Sequence, residues 1–282
     1  MNSIARILVI AGSDSGGGAG IQADIRTITT LGGYAMTAIT AITAQNTLGV
    51  QGVHPVPVDM VLAQIDSVVT DIGVDAVKIG MIGSAGTAQA VADYLFALDR
   101  RSREGGDPSP MPVKQNLASG DGFPPSRERR NFVPIVFDPV MVATSGSVLA
   151  DADTIAAFER LIRIATVVTP NIPELEALGG DGIASLLGCT VLAKGGHGAG
   201  GILVDRLFDA GGEIARWEDA RIDTPHTHGT GCTLASAIAV GLGQGMTLTG
   251  AIARARHYVR AALLAAPGLG HGHGPMGVPR DA

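Results

Sequence analysis

Short apolar runs alternate with longer amphipathic ones along this chain, and each apolar run ends in a glycine-rich or polar motif. "ILVIAG" reads as a buried strand and "AGIQADIRTITTLG" as a helix stopping at Gly32-Gly33. "AMTAITAI" is β-branched and strand-like. "VDMVLAQIDSVVTDI" has helical spacing, with Val58, Val61, Leu62, Ile65 and Val69 on one side. "DAVKIGMIG" is a strand and "SAGTAQAVADYLFAL" a helix. The strands "FVPIVFDPVM", "ATVVTPN" and "TVLAKGG" follow, with the helix "DADTIAAFERLI" between the first two. Such alternation predicts a mainly parallel sheet covered by helices on both faces. Ligands of such sheets collect beyond the carboxyl ends of the strands. The motifs AGSDSGGGAG, GMIG, DPVM, TPN and KGGH all follow strands, so they are expected to meet at one sheet edge.

The rest of the chain departs from this rhythm. "GILVDRLFDAGGEIARWEDARIDT" reads as an antiparallel hairpin around Gly211-Gly212. Two helices follow, "GCTLASAIAVGLGQG" and "TGAIARARHYVRAALLAA", then an extended glycine-rich tail. Arg100 to Asn131 holds five prolines, four glycines and seven basic side chains in 32 residues. With little to bury, it reads as a flexible insertion, and a basic docking arm is the alternative. Hydrophobic residues make up 46% of the 282, enough for one large core, so a single domain over 1–282 is expected.

The same numbers exclude several functions. A net charge of −6 implies no general attraction to nucleic acid. No apolar stretch approaches the ~20 residues of a membrane span, and the first apolar run reads as a strand, not a signal peptide. Cys189 and Cys232 do not look paired, which suits a reducing cytoplasm.

Several motifs carry chemistry. "GTGC" at 229–232 opens a helix, where unpaired N–H groups and the helix dipole favour an anion. The plain alternative is a helix cap by Thr227 or Thr230. A thiol placed there is expected to have a lowered pKa. "GSDSGGGAGIQAD" lacks the G-K-[ST] of a P-loop, yet its glycines let a ligand approach the backbone. Asp24 lies one turn into the following helix, either accepting from a ligand or simply favouring the helix start. Gln45 closes a strand; its amide matches an aminopyrimidine edge, or it is an ordinary loop residue. Asp138 follows a strand, and Asn171 and Glu174 lie three apart. Such oxygens, with waters and phosphates, suit Mg²⁺; Asn171 also reads as a helix cap. Lys194, before two glycines, can neutralise phosphate. Lys78 and Lys114 are the other lysines in a chain with 17 arginines. The i, i+2 spacing of His226 and His228 in a loop is too unspecific to indicate a metal site.

In order, "AGSDSGGGAGIQADI", "TAITAQNT", "KIGMIG", "FDPVMVATSG", "TPNIPE", "AKGGHG" and "HGTGCT" closely resemble the hydroxymethylpyrimidine/phosphomethylpyrimidine kinases of thiamine biosynthesis, in the ribokinase-like superfamily. The resemblance implies a three-layer fold, a central sheet flanked by helices, and a homodimer. It implies ATP-dependent formation of the pyrimidine monophosphate and then the diphosphate. Gln45 would read the pyrimidine, with Gly12, Asp24, Met81 and Val140 around it. Asp138 and Glu174 would hold Mg²⁺, directly or through water. Asn171, Lys194 and Thr227 would face the nucleotide phosphates. Gly229, Thr230, Gly231 and Cys232 would form the anion hole, with cysteine where ribokinase-like sugar kinases carry an aspartate base.

Two features depart from that pattern. The Arg100–Asn131 insertion is long, and "LEALGGDGIASLLGCTVLAKGG" is short. Competing readings are a pyridoxal kinase, whose substrate lacks the 4-amino group, and a catalytically silent pyrimidine-binding regulator.

Overall fold

The computed structural model describes residues 4–103, 133–143, 145–197 and 200–279. Its centre is a nine-stranded sheet in the order β3-β2-β1-β4-β5-β6-β7-β8-β9. The strands are β1 (Ala5–Asp14), β2 (Gly33–Asn46), β3 (Gly49–Pro55), β4 (Ala76–Ile79), β5 (Ile135–Phe137), β6 (Val167–Val168), β7 (Val191–Ala193), β8 (Ile202–Asp209) and β9 (Gly212–Ala220). The six strands from β2 to β7 in that order pair in parallel, and β3, β8 and β9 add antiparallel edges. The expected mainly parallel sheet is therefore present. Chain order reverses between β1 and β4, which opens a crevice at their carboxyl ends.

Helices α1 (Gly20–Thr30), α7 (Thr230–Gly243) and α8 (Leu248–Leu264) cover one face. The other face carries α2 (Val58–Asp71), α3 (Ala85–Arg103), α4 (Ala152–Ile164), α5 (Ile172–Ala177) and α6 (Ile183–Leu187). Strand β1 serves both cores through its two-residue period: Leu8 and Ile10 point one way, Ile7, Val9 and Ala11 the other. Val61, Ile65 and Val69 are the buried stripe of α2, as their spacing predicts, with Leu62 packed beside them. Asp151 caps α4 through Thr154 N–H, and Phe158 of α4 meets Phe137 edge to face at 5.2 Å.

Several expectations change. Sequence periodicity shows no strand at β3, because only Gly49 of its seven residues is buried and an exposed edge needs no apolar alternation. The apolar runs at β5 and β6 yield strands of three and two residues, bounded by Pro134, Pro139 and Pro170. The hairpin forms as expected, with its turn at Ala210-Gly211 and Gly212 at φ +113°. Helix α3 runs through Arg103, so the insertion does not begin at Arg100; the remainder of that segment lies outside the described residues. The short stretch before Lys194 folds as the two brief helices α5 and α6.

The tail is extended but not loose. Gly274 O accepts the His228 N–H at 3.2 Å, and Thr47 O accepts the His273 N–H at 2.9 Å. Met276 is buried.

Candidate active site

Among the described residues, no side chain caps the start of α7. Gly229 occupies the cap position at φ +85°, in the left-handed region, and has no side chain to bond the first turn. Neither Thr227 nor Thr230 is the cap that the sequence allowed. A Cβ at Gly229 would lie 2.0 Å from Gly18 O, so close packing against the loop after β1 requires glycine. Thr230 N–H bends back to Thr227 O at 3.3 Å. The N–H groups of the following residues belong to a first helical turn, whose donors have no partner within the helix. Gly231 carries the turn toward charge: a Cβ there would sit 3.2 Å from Asp138 Oδ2 and 3.4 Å from Lys194 Nζ.

Lys194 and Asp138 form a mostly buried ion pair, Nζ to Oδ1 at 2.7 Å. Thr169 Oγ1 donates to the same oxygen at 3.1 Å. Burial opposes the Lys194 charge, yet Asp138 and Glu174 beside it raise its pKa. Asn171 and Glu174 bond reciprocally at the start of α5: Asn171 Oδ1 accepts Glu174 N–H at 2.9 Å, and Glu174 Oε2 accepts Asn171 N–H at 2.8 Å. Asn171 is thus the cap, and a backbone bridge to Lys194 also holds it beside the ion pair. Burial pushes the Glu174 carboxyl up, with Lys194 opposing and Asp138 adding to the rise.

Beneath the start of α7 lies a charge cluster whose pairing no motif reveals. Lys78 is fully buried on β4, and its Nζ meets Asp24 at 2.9 and 3.0 Å. Ser236 Oγ donates to Asp24 Oδ1 at 2.7 Å. Asp24 is therefore not the open acceptor expected of it. Its surface is wholly enclosed and its oxygens are committed to Lys78 and Ser236, because it lies on the buried side of α1 with Ile21, Thr27 and Ile28. In the sequence Lys78 stands out by its rarity and as the first residue of KIGMIG, and neither points to Asp24.

Cys232 lies one turn before Ser236 on α7, and the lowered thiol pKa expected of it is reversed. Burial pushes the thiol up to about 11; Lys78 opposes this, while Asp24 and Asp138 add to it. Desolvation outweighs the helix start here.

Next to the carboxyl ends of β1 and β4, a Cβ on Gly12 would lie 3.1 Å from Met81 Sδ, so these two candidates are neighbours. Thr40 Oγ1 fixes the Met81 carbonyl at 2.7 Å. Val140 sits on the Asp138 loop, its N–H bonded to Asp138 O at 2.8 Å. Gln45 closes β2 with its amide 3.2 Å from His228 Nε2. His228 in turn bonds Asp14 at 2.9 Å. Neither Asp14 nor His228 was singled out as a site residue. Among the described residues, no group of three or more His, Cys, Asp or Glu side chains forms a metal site.

An uncapped helix start, an ammonium and two carboxylates around one spot are what phosphoryl transfer requires. On this sheet they define a ribokinase-like kinase. Comparison with known proteins narrows the class. The phosphomethylpyrimidine kinase profile matches residues 14–103 and 126–277. The thiamine biosynthesis bifunctional protein ThiED of Geobacter sulfurreducens is 45% identical over 96% of this chain, which spans only 51% of that longer protein. The hydroxymethylpyrimidine/phosphomethylpyrimidine kinase of Rhizobium meliloti is 42% identical, covering 95% of each chain. Among solved structures, an ADP complex of Bacillus subtilis pyridoxal kinase has a TM-score of 0.77 at 30% identity, covering 98% of each chain. Phosphomethylpyrimidine kinase from Clostridium difficile has a TM-score of 0.67 at 33% identity, covering 91% of this chain and 98% of its own. The chain belongs to the phosphomethylpyrimidine kinase family.

Proposed function

We propose that this chain uses MgATP to phosphorylate 4-amino-5-hydroxymethyl-2-methylpyrimidine to its monophosphate and then to the diphosphate, in thiamine biosynthesis. The observation that carries the reading is the Lys194–Asp138 pair facing Gly231 at the uncapped start of α7. The backbone N–H groups of that turn receive charge on the transferred phosphoryl group, and Lys194 neutralises the nucleotide phosphates. Thr227 and Asn171 flank the same place. The thiolate form of Cys232 takes the proton of the attacking hydroxyl. Product analysis with hydroxymethylpyrimidine and MgATP tests this; absence of both phosphorylated products would refute it.

The residues fit Mg²⁺. Asp138 Oδ2 faces the anion turn while Oδ1 binds Lys194, and Glu174 lies close enough to be raised by Asp138. Two hard carboxylates, completed by waters and phosphates, are a usual Mg²⁺ donor set. What the metal supplies when bound is charge neutralisation across the phosphates.

Gln45 reads the aminopyrimidine edge. Gln45→Leu is expected to cost about 1–3 kcal/mol of pyrimidine binding, since donor and acceptor on the ligand go unmatched. Titration calorimetry with the pyrimidine checks it; unchanged affinity sinks the assignment. The likeness to pyridoxal kinase supports a second reading, and a substrate panel containing pyridoxal separates the two. A silent regulator is the third, and an ATP-consumption assay excludes or establishes it.

A single domain with a dispensable insertion is part of this reading, and the family match, which skips residues 104–125, supports it. Replacing that stretch with a short glycine-serine linker after α3 is expected to leave melting temperature and turnover near the parent's. A lowered melting temperature would mean that the segment packs, and a loss of turnover alone would mean that it serves the site. Ile42, Leu48 and Val53 are exposed apolar side chains around the β2–β3 edge and support a homodimer, measurable by light scattering. Two free cysteines suit the cytoplasm. The net charge of −6 favours no nucleic acid, and no described helix is long and apolar enough to cross a membrane.

A further inference from the structure

Three polar side chains meet beside the anion turn, and their hydrogens can be counted. His228 Nε2 lies 2.9 Å from Asp14 Oδ2 and 3.2 Å from the Gln45 amide. Asp14 is buried and also accepts the Gly16 and Ala19 N–H groups, at 2.8 and 2.7 Å. Burial raises the Asp14 carboxyl, but the bonds from His228, Ala19 and Gly16 outweigh it and hold the group below its ordinary value. An ionised carboxylate only accepts, so the shared hydrogen sits on His228 Nε2. That nitrogen then has no lone pair to offer Gln45.

An amide NH₂ turned toward this N–H would set donor against donor. The amide oxygen turned toward it accepts. Amide nitrogen and oxygen exchange places by a half-turn, and the surrounding hydrogen bonds decide between them. The far side of the amide agrees. Thr43 Oγ1, 3.2 Å from Gln45 there, gives its own hydrogen to Ser13 O at 2.8 Å. Its lone pairs are left for the Gln45 NH₂. Only one orientation satisfies both neighbours: Oε1 toward His228 and Nε2 toward Thr43.

His228 is itself held in place. Its N–H bonds Gly274 O, it bridges to Pro275, and its ring lies so near Gly18 that a Cβ there would come within 2.4 Å of Cδ2. We propose that His228 is a positioning residue for specificity: its Asp14-bound N–H admits only the oxygen of Gln45, and so fixes the sense in which an aminopyrimidine edge is read. The oriented amide keeps one lone pair on Oε1 and one hydrogen on Nε2. An exocyclic amine then lies on the His228 side and a ring nitrogen on the Thr43 side. A ring without that amine, such as pyridoxal, forms one of these two bonds.

This inference rests on Gln45 as the pyrimidine-binding side chain, and a mutant cycle separates the two. His228→Leu is expected to raise the KM for hydroxymethylpyrimidine about tenfold, the effect of one unmatched polar group, and to narrow the preference over pyridoxal. The ATP KM should hold. His228→Gln, which can return an N–H to Asp14, should restore most of the loss and verifies that the position tolerates change. Combined with Gln45→Leu, His228→Leu should cost nothing further, because it acts through Gln45. Additive losses, or a His228→Leu enzyme with parental pyrimidine KM, overturn the orienting role. If Gln45→Leu alone leaves that KM unchanged, the reading of Gln45 falls first and the inference with it.

Discussion

Cys232→Ser is expected to lower turnover by about 10²–10⁴, the range for loss of a general base. Serine keeps the size of the side chain but not its acidity, and the backbone donors of the anion turn remain. ATP affinity should therefore barely move. The raised thiol adds a sharper consequence. With the pKa pushed up to about 11, the thiolate is a small fraction near neutrality and grows about tenfold per pH unit below that value. Parental turnover should climb with pH across the neutral range, and Cys232→Ser should lose that slope. A pH–rate profile of both enzymes checks it. Near-parental turnover in the variant, with the same profile, would leave the chemistry to the backbone and make the cysteine a spacer.

Lys78→Met should unfold the protein far more easily. Lys78 and Asp24 are both fully buried and bond at 2.9 and 3.0 Å, with Ser236 as the third member. Removing the ammonium strands a carboxylate in the core beneath the active-site helix. Breaking a buried pair in this way costs about 3–5 kcal/mol. Replacing both, as Lys78→Met with Asp24→Leu, should recover most of the loss, because no charge is left buried. Urea denaturation of the single and double variants measures both. A single variant as stable as the parent would mean that Asp24 does not depend on Lys78 for its place. The sign of the pH response is also set. Burial already raises the Asp24 carboxyl. Without Lys78 its folded pKa rises further above the unfolded value, so the variant is most stable below the unfolded Asp pKa and loses stability as pH rises through the folded one.

The layered sheet, the order of its motifs and the edge on which they meet can be read from the chain's own pattern. These depend on local periodicity and on turn residues next to each strand, which a single chain displays directly. That Lys194, Asp138 and Asn171 come together was legible for the same reason, since each lies just after a strand of the parallel sheet, with Glu174 three residues beyond Asn171. Tertiary structure alone decided which polar groups are already engaged. Asp24 meets Lys78 across 54 residues, and Asp14 meets His228 across 214. No spacing rule links such positions, so Asp24 resembled a free acceptor and His228 a stray loop histidine. The edge strand β3 was invisible because it buries almost nothing. The thiol of Cys232 shows the limit most plainly: the helix start is local and argues for a lowered pKa, but desolvation and the neighbouring carboxylates are set by packing and raise it.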